Sequence, residues 1–320
     1  MTTNGFAEYH PTAKNFKKVL CRIPWYGWRE QVFLPKLIAS YNCDLVHFPH
    51  FNVPVLYRGK FVVTIHDFIL YDFPTTRATT RSALTFWAKY SAYRFVFWNA
   101  IQLAQHVFVP SEYVRGRLQY HYPSIGDSKV TVTREGAQNT KVPFVATKGT
   151  FVESYILTVG SAYPHKNLEA LIQAFLTLKR SDIHLVVVGK KDYFMRRLEN
   201  CTKSDFVQFL GGVGDDDLQE LYAHAKAVAV VSCEEGFGLP GVEALRYGTP
   251  VVASDRSSLP EVYRDRALYV NPYNVKDIIR VLREVLNNST QPPLTLRGGE
   301  EGLEWKKLAE ATKAVYESTA

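Results

Sequence analysis

The feature that most constrains this chain is an alternation: short, apolar, β-branched runs separated by longer amphipathic stretches, repeated along most of its 320 residues. In the second half the runs are YILTVG (155–160), IHLVVVG (183–189), FVQFLG (206–211), AVAVVS (227–232) and TPVVAS (249–254). Each is too short for a core helix and rich in the residue types that suit a strand buried on both faces. Between them, residues 167–180, 190–200, 215–225 and 240–247 carry helical spacing, with Asn167 and Asp215 where a helix start needs a capping side chain. Strand, helix, strand in repetition predicts a parallel sheet covered by helices on both faces. The first half repeats the theme less regularly, with strands expected at 44–48, 60–65, 106–110 and 129–133 and helices over about 80–104 and 111–120. A Gly, Pro, Thr and Lys-rich stretch from about 139 to 151 breaks the pattern and reads as a hinge. The chain is therefore expected to be α/β, with one unit over 1–145, a second over 151–300, and a terminal helix within 301–320 that packs back toward the first.

Charge is unevenly placed. Residues 1–150 hold 18 Lys and Arg against 8 Asp and Glu, so the net charge of +7 belongs to the first half. Such a half either faces an anionic partner or is solvated surface. Cys21, Cys43, Cys201 and Cys233 form no C-x-x-C pair, and they read as reduced thiols that fill small buried gaps. The N-terminus shows no apolar core of a signal peptide, and no run reaches about 18 uncharged apolar residues. A cytoplasmic protein is expected.

The segment 232–261, SCEEGFGLPGVEALRYGTPVVASDRSSLPE, carries the most chemical information. Glu235 closes a strand, and Gly-Phe-Gly-Leu-Pro then leads into a helix that carries Glu243. A Gly-rich loop entering a helix at the carboxyl end of a parallel strand is where an anion binds. Pro240 suits the first helical turn, and Gly236 and Gly238 leave backbone N–H groups open to a phosphate. Two carboxylates flanking such a loop can accept hydrogen bonds from hydroxyls, one set on a sugar and the other on a ribose. A phosphate between two polyols describes a nucleotide sugar. Upstream, VGSAYPHKNLEALIQAF (159–175) sets Lys166 in a loop after a strand, where it can meet a diphosphate. In the first half, FVVTIHDF (61–68) ends a buried strand on His66 and Asp67, at the sheet edge where ligands sit. His47 and His50, in DLVHFPHFNVP, also follow a strand and are candidates for the acceptor side.

The string Glu-Gly-Phe-Gly-Leu-Pro-x-x-Glu-Ala followed by Gly-Thr-Pro-Val-Val-Ala-Ser resembles the signature of the retaining glycosyltransferases of family 4. The resemblance covers nearly the whole chain and implies the GT-B fold, in which two Rossmann-like domains face each other across a cleft and the second holds most of the donor. It implies that Glu235 contacts donor-sugar hydroxyls near the reacting carbon, that Phe237, Gly238 and Leu239 line sugar and diphosphate, and that Glu243 binds the ribose. It further implies that Gly160, Ser161, His165, Lys166 and Asn167 complete the donor site and that His66, with Glu235, belongs to the catalytic pair. Where many relatives carry an arginine in the loop after residue 160, this chain has Ser161 and His165, so a second cation for the diphosphate is missing from the pattern. The resemblance implies transfer of a hexosyl group, with the Pro-His-Lys-Asn variant leaning to mannosyl, from a nucleotide-sugar donor to a sugar or lipid-linked acceptor with retention. The setting it implies is cell-envelope or polysaccharide synthesis, without a cofactor and without nucleic acid.

Other features are read beside it. Asp215-Asp216-Asp217 contains the Asp-x-Asp pattern that binds divalent metals elsewhere, but it opens an amphipathic helix and is expected to cap it, so no metal is expected. The stretch 80–104 carries Phe86, Trp87, Phe97 and Trp98 with Arg81, Lys89 and Arg94, which fits either core packing or peripheral contact with an anionic membrane at its inner face. The strand and Gly-rich loop with which family members open are not found in MTTNGFAEYHPTAKNFKKVL, so the first βα unit is expected to be absent. A GT-B epimerase or phosphorylase, or a nucleotide-sugar-binding protein without turnover, would share these residues.

Overall fold

The computed structural model describes residues 10–11, 13–79, 82–137, 154–287 and 305–320. In the first unit these form α1 (Trp28–Ala39), β1 (Val46–Phe48), β2 (Phe61–Thr64), α2 (Ala83–Leu103), β3 (His106–Val109), α3 (Glu112–His121) and β4 (Val130–Val132). The four strands lie in the order β1-β2-β3-β4, every pair parallel. Consecutive parallel neighbours joined by right-handed crossovers put their helices on one face. On that face Phe61, Val63, Val107 and Val109 pack against Phe97 and Ile101 of α2 and Val114 and Leu118 of α3. On the other face His47 pairs with Thr64 and His106 with Thr131, each at 2.8 Å. A C-terminal helix, α10 (Trp305–Thr319), meets this second face, where Tyr316 bonds to His47 and lies edge-on to Phe108.

The second unit holds β5 (Ser154–Val159), α4 (Leu168–Thr177), β6 (Ile183–Val188), α5 (Tyr193–Cys201), β7 (Val207–Gly211), α6 (Asp215–His224), β8 (Ala227–Val230), α7 (Leu239–Arg246), β9 (Val251–Ser254), α8 (Leu259–Tyr263), β10 (Ala267–Val270) and α9 (Val275–Asn287). Its strands are ordered β10-β9-β8-β5-β6-β7, all parallel. Successive strand residues feed two separate cores. Leu157, Val186 and Val228 join Val242 and Leu245 of α7, whereas Ile156, Leu185 and Ala229 join Leu171 and Phe175 of α4 and Ile278 and Leu282 of α9. The chain winds outward from β5 in one direction through β6 and β7 and then in the other through β8, β9 and β10. That reversal leaves a crevice at the carboxyl ends of β5 and β8, the place where open parallel sheets bind ligands.

Several expectations are corrected. Asn167 holds the cap position of α4, as expected, but its side chain makes no capping hydrogen bond. It sits in the left-handed region at φ 57°, and its Nδ2 donates to the carbonyls of Val231 and Pro272, at 3.2 and 2.8 Å, so it ties the loop to neighbouring strand ends. Asp215 is the first residue of α6 and not its cap; Gly214 holds that position and the three carboxylates fill the first turn, where they complement the helix dipole. None of the four thiols is fully buried: Cys43 and Cys201 are exposed, Cys21 and Cys233 half-buried. In α2 only Phe97 of the named aromatics reaches the core, while Trp87 and Trp98 are exposed; Arg81 and the hinge at 139–151 lie outside the described residues. Among the described residues no helix is long and apolar enough to cross a membrane.

Candidate active site

A cleft of about 550 Å³ opens at the crevice, with His66, Asp67 and Glu135 on one wall and Ser161, His165, Lys166, Glu235 and the 236–240 turn on the other. Glu235 follows β8 and is only 6% exposed. Its Oε1 accepts hydrogen bonds from Lys166 Nζ at 2.6 Å and Ser232 Oγ at 2.8 Å. Ser257 Oγ accepts from its backbone N–H and Ser258 Oγ donates to its carbonyl, so four hydrogen bonds fix the residue, two on its carboxylate and two on its backbone. Lys166 comes from the loop after β5, where Pro164–Lys166 forms a single 3-10 turn. The two loops that flank the switch point thus deliver one cation and one anion to the same spot.

The turn after Glu235 depends on its glycines. A Cβ on Gly236 would lie 2.0 Å from the His66 carbonyl oxygen, so only glycine lets the two domains approach here. Gly238 adopts φ +89° and caps α7 without a side chain, and a Cβ there would meet Leu259 at 2.4 Å. Phe237 turns its ring into the core and leaves its backbone at the cleft. Gly160, at φ +152°, ends β5 beside the Lys166 stem. The amino end of α7 is therefore open toward the cleft and carries the positive end of its dipole.

Across the seam, both nitrogens of His66 face acceptors: Nδ1 lies 3.2 Å from Glu135 Oε1 and Nε2 lies 2.9 Å from the Pro49 carbonyl. A ring flanked by two acceptors is best satisfied as imidazolium, and the Glu135 hydrogen bond raises its pKa above the ordinary histidine value despite the opposing effect of burial. His165 behaves oppositely. Burial, with Lys166 beside it, lowers it to about 4, so it is neutral and supplies no second cation. Burial likewise lowers His47 to about 4. His47 is committed to Thr64 and Tyr316 on the sheet face under α10, which corrects its expected place on the acceptor side. His50 lies against Phe51, the rings tilted by 39°, near Tyr26, and burial, with His66 beside it, lowers its pKa.

Glu243 stands one turn along α7 from Leu239 and lines a separate recess of about 70 Å³ with Asp215 and Tyr222. Burial raises its pKa above the ordinary carboxylate value. The two glutamates thus flank opposite ends of the same turn, but in this structure they do not share a cavity. Asn167 likewise lies outside the cleft.

The models of two families match the chain: "Glycosyltransferase Family 4" over residues 5–138 and "Glycosyl transferases group 1" over residues 151–304. The O-antigen chain mannosyltransferase RfbU of Salmonella typhimurium is 30% identical over 255 residues, covering 79% of this chain and 67% of that protein. The chain belongs to the group 1 glycosyltransferases. The O-antigen chain mannosyltransferase B of Escherichia coli is 28% identical over 82% of this chain and 70% of its own. The fold agrees as well. Sucrose-phosphate synthase from Thermosynechococcus elongatus superposes with a TM-score of 0.73 at 20% identity, covering 91% of this chain and 77% of its own. Anabaena HepE in complex with UDP-glucose superposes at 0.71 and 17%, covering 89% and 82%.

Three residues of this group 1 glycosyltransferase escaped the reading of the sequence. Glu135 follows β4 at the same carboxyl edge as His66, so the rule that found the histidine applies to it. Glu234 points into the domain seam beside Tyr113 of α3, and burial pushes it up to about 7. Glu261, at the end of the SSLPE string, accepts the backbone N–H groups of Glu112 and Tyr113 at 3.0 and 2.9 Å, so a side chain of the second domain caps a helix of the first. Nothing local in sequence marks these last two roles, since both depend on how the domains meet.

Proposed function

We propose that this enzyme transfers a hexosyl group, with mannosyl preferred, from a nucleoside diphosphate sugar to a hydroxyl of a saccharide or lipid-linked acceptor, with retention at the anomeric carbon. The observation that carries it is the Lys166–Glu235 pair at the mouth of the α7 amino terminus. In the free protein the pair neutralises itself. A donor diphosphate brings more negative charge than one carboxylate and competes for Lys166 Nζ, with the α7 N–H groups as its second contact. Glu235 is thereby released, and its oxygens accept the donor-sugar hydroxyls. When the bond between the anomeric carbon and the phosphate oxygen breaks, charge develops on the diphosphate, where Lys166 and the helix end stabilise it. The acceptor oxygen forms the new bond to the anomeric carbon, and its proton passes to the departing diphosphate, which gains a negative charge as its bond to the sugar breaks. His66, held by Glu135 and Pro49, supports the sugar from the opposite wall.

Retention rests on the resemblance to family 4. The names of the Salmonella and Escherichia relatives favour mannose and O-antigen-type polysaccharide synthesis. Catalysis is proposed to run without a metal or cofactor, because a lysine and a helix terminus already stand where the leaving group's charge appears. A panel of UDP-, GDP- and dTDP-hexoses tested for thermal stabilisation, followed by anomeric NMR of the product, tests the reading. One nucleotide sugar should raise the melting temperature and be turned over to an axial or equatorial linkage matching its own. Absence of stabilisation by every member overturns it.

A further inference from the structure

Tyr163 lines the cleft and also a second cavity of about 250 Å³ that continues from it in the seam between the domains. Arg77 reaches this cavity from the first domain; Glu169 of α4 and Phe194 and Arg197 of α5 line it from the second. Its aromatic floor is ordered: Phe194 lies 5.1 Å from Tyr163, which stacks on His165 with 9° between ring planes. Arg197 is shared with a third, open cavity that carries the surface-exposed Tyr193 and Arg196. A continuous groove therefore leaves the cleft past Tyr163, crosses Phe194 and ends over α5.

The chemistry of its walls selects a ligand class. A hydrocarbon tail would need an uncharged lining, and this one carries arginines and a carboxylate. A phosphate entering this cavity would face the Glu169 carboxylate, which already occupies Arg77, with Nη2 to Oε2 at 3.0 Å. Aromatic faces present negative charge to C–H groups. An arginine and a glutamate beside them offer donor and acceptor to hydroxyls. Apolar C–H faces edged with hydroxyls are the surface of a sugar ring.

We propose that this groove is an acceptor subsite that holds sugar residues behind the one being glycosylated, so that the enzyme favours an oligosaccharide over a monosaccharide acceptor. The proposal rests on the glycosyltransferase reading above. The test is calorimetric titration of the donor-free protein with mono-, di- and tetrasaccharides of mannose, glucose and galactose, for the wild type and for Phe194→Ala and Arg197→Ala. Affinity for at least one series should rise tenfold or more from monomer to tetramer, and each variant should flatten that rise to within about threefold. The proposal is overturned if no tetramer binds better than its monomer, or if the rise survives in both variants. Arg197 is exposed on α5, so its variant keeps the fold even where the loss of the Phe194 ring disturbs it. Nucleotide-sugar binding measured on the same samples reports the underlying reading separately: its absence in the wild type sinks the donor assignment, while its presence without length dependence sinks only the groove.

Discussion

His66 and Glu135 show how much of the site's electrostatics is decided by single side chains. The strand-end rule placed His66 at the cleft, and its charge state comes from a carboxylate 69 positions away in sequence. Because the folded pKa is raised, the pair stabilises the protein fully below the ordinary histidine value of about 6.5, and that stabilisation is lost as pH rises through the folded value. Glu135→Gln removes the anion and leaves the opposing effect of burial, so the His66 titration followed by NMR should move to lower pH. No movement would mean that Glu135 does not set the charge. At the same scale the sequence leads to the expectation that Gly236 and Gly238 leave backbone N–H groups open to a phosphate, but it does not show that Gly236 sits against the other domain. Gly236→Ala puts a methyl group against the His66 carbonyl and should force the domain seam open, seen as a lower melting temperature and a larger radius by X-ray scattering.

Among elements, all nine strands expected from apolar runs were found, with ends shifted by at most about two residues because the flanking Thr, Pro and Gly belong to turns. β10 went unread because its four residues sit between an Arg-rich turn (264–266) and an Asn-Pro-Tyr-Asn turn (271–274) and never form a long apolar run. α1 carries Pro35 inside, which masks a helix in sequence. α9 has a clear helical period, with Ile278, Val281 and Leu282 buried, and is readable by the same rule that found α4. The seam between α3 and the loop after β8 carries a pH dependence of its own. Glu234 is pushed up to about 7, chiefly by burial, so the folded state holds its proton where an unfolded glutamate has released it. Stability should therefore fall as pH rises from about 4.5 to about 7. Glu234→Gln should abolish that part of the slope and raise stability at pH 8 by roughly 1–3 kcal/mol in urea titrations. An unchanged slope would refute the assignment.

For the whole molecule, the alternation of strands and helices was enough to predict two parallel α/β units, but not the way in which they close on each other. Closure is carried by polar contacts between elements far apart in sequence. Ser111 Oγ caps α3 and also donates to the Gly236 carbonyl at 2.8 Å, and Glu261 caps the same helix from the second domain. The donor turn is thereby built into the seam, so donor binding and domain closure are one event in this account. Its central claim is that a nucleoside diphosphate takes Lys166 from Glu235. Calorimetric titration of the stabilising nucleotide sugar against the wild type, Lys166→Ala and Glu235→Ala tests this most directly. Lys166→Ala should weaken binding of both the nucleotide sugar and the bare nucleoside diphosphate by tenfold or more. Glu235→Ala should weaken the nucleotide sugar yet bind the bare diphosphate as tightly as the wild type or more so, because its lysine is already free. Undiminished affinity of Lys166→Ala for the bare diphosphate would contradict the account.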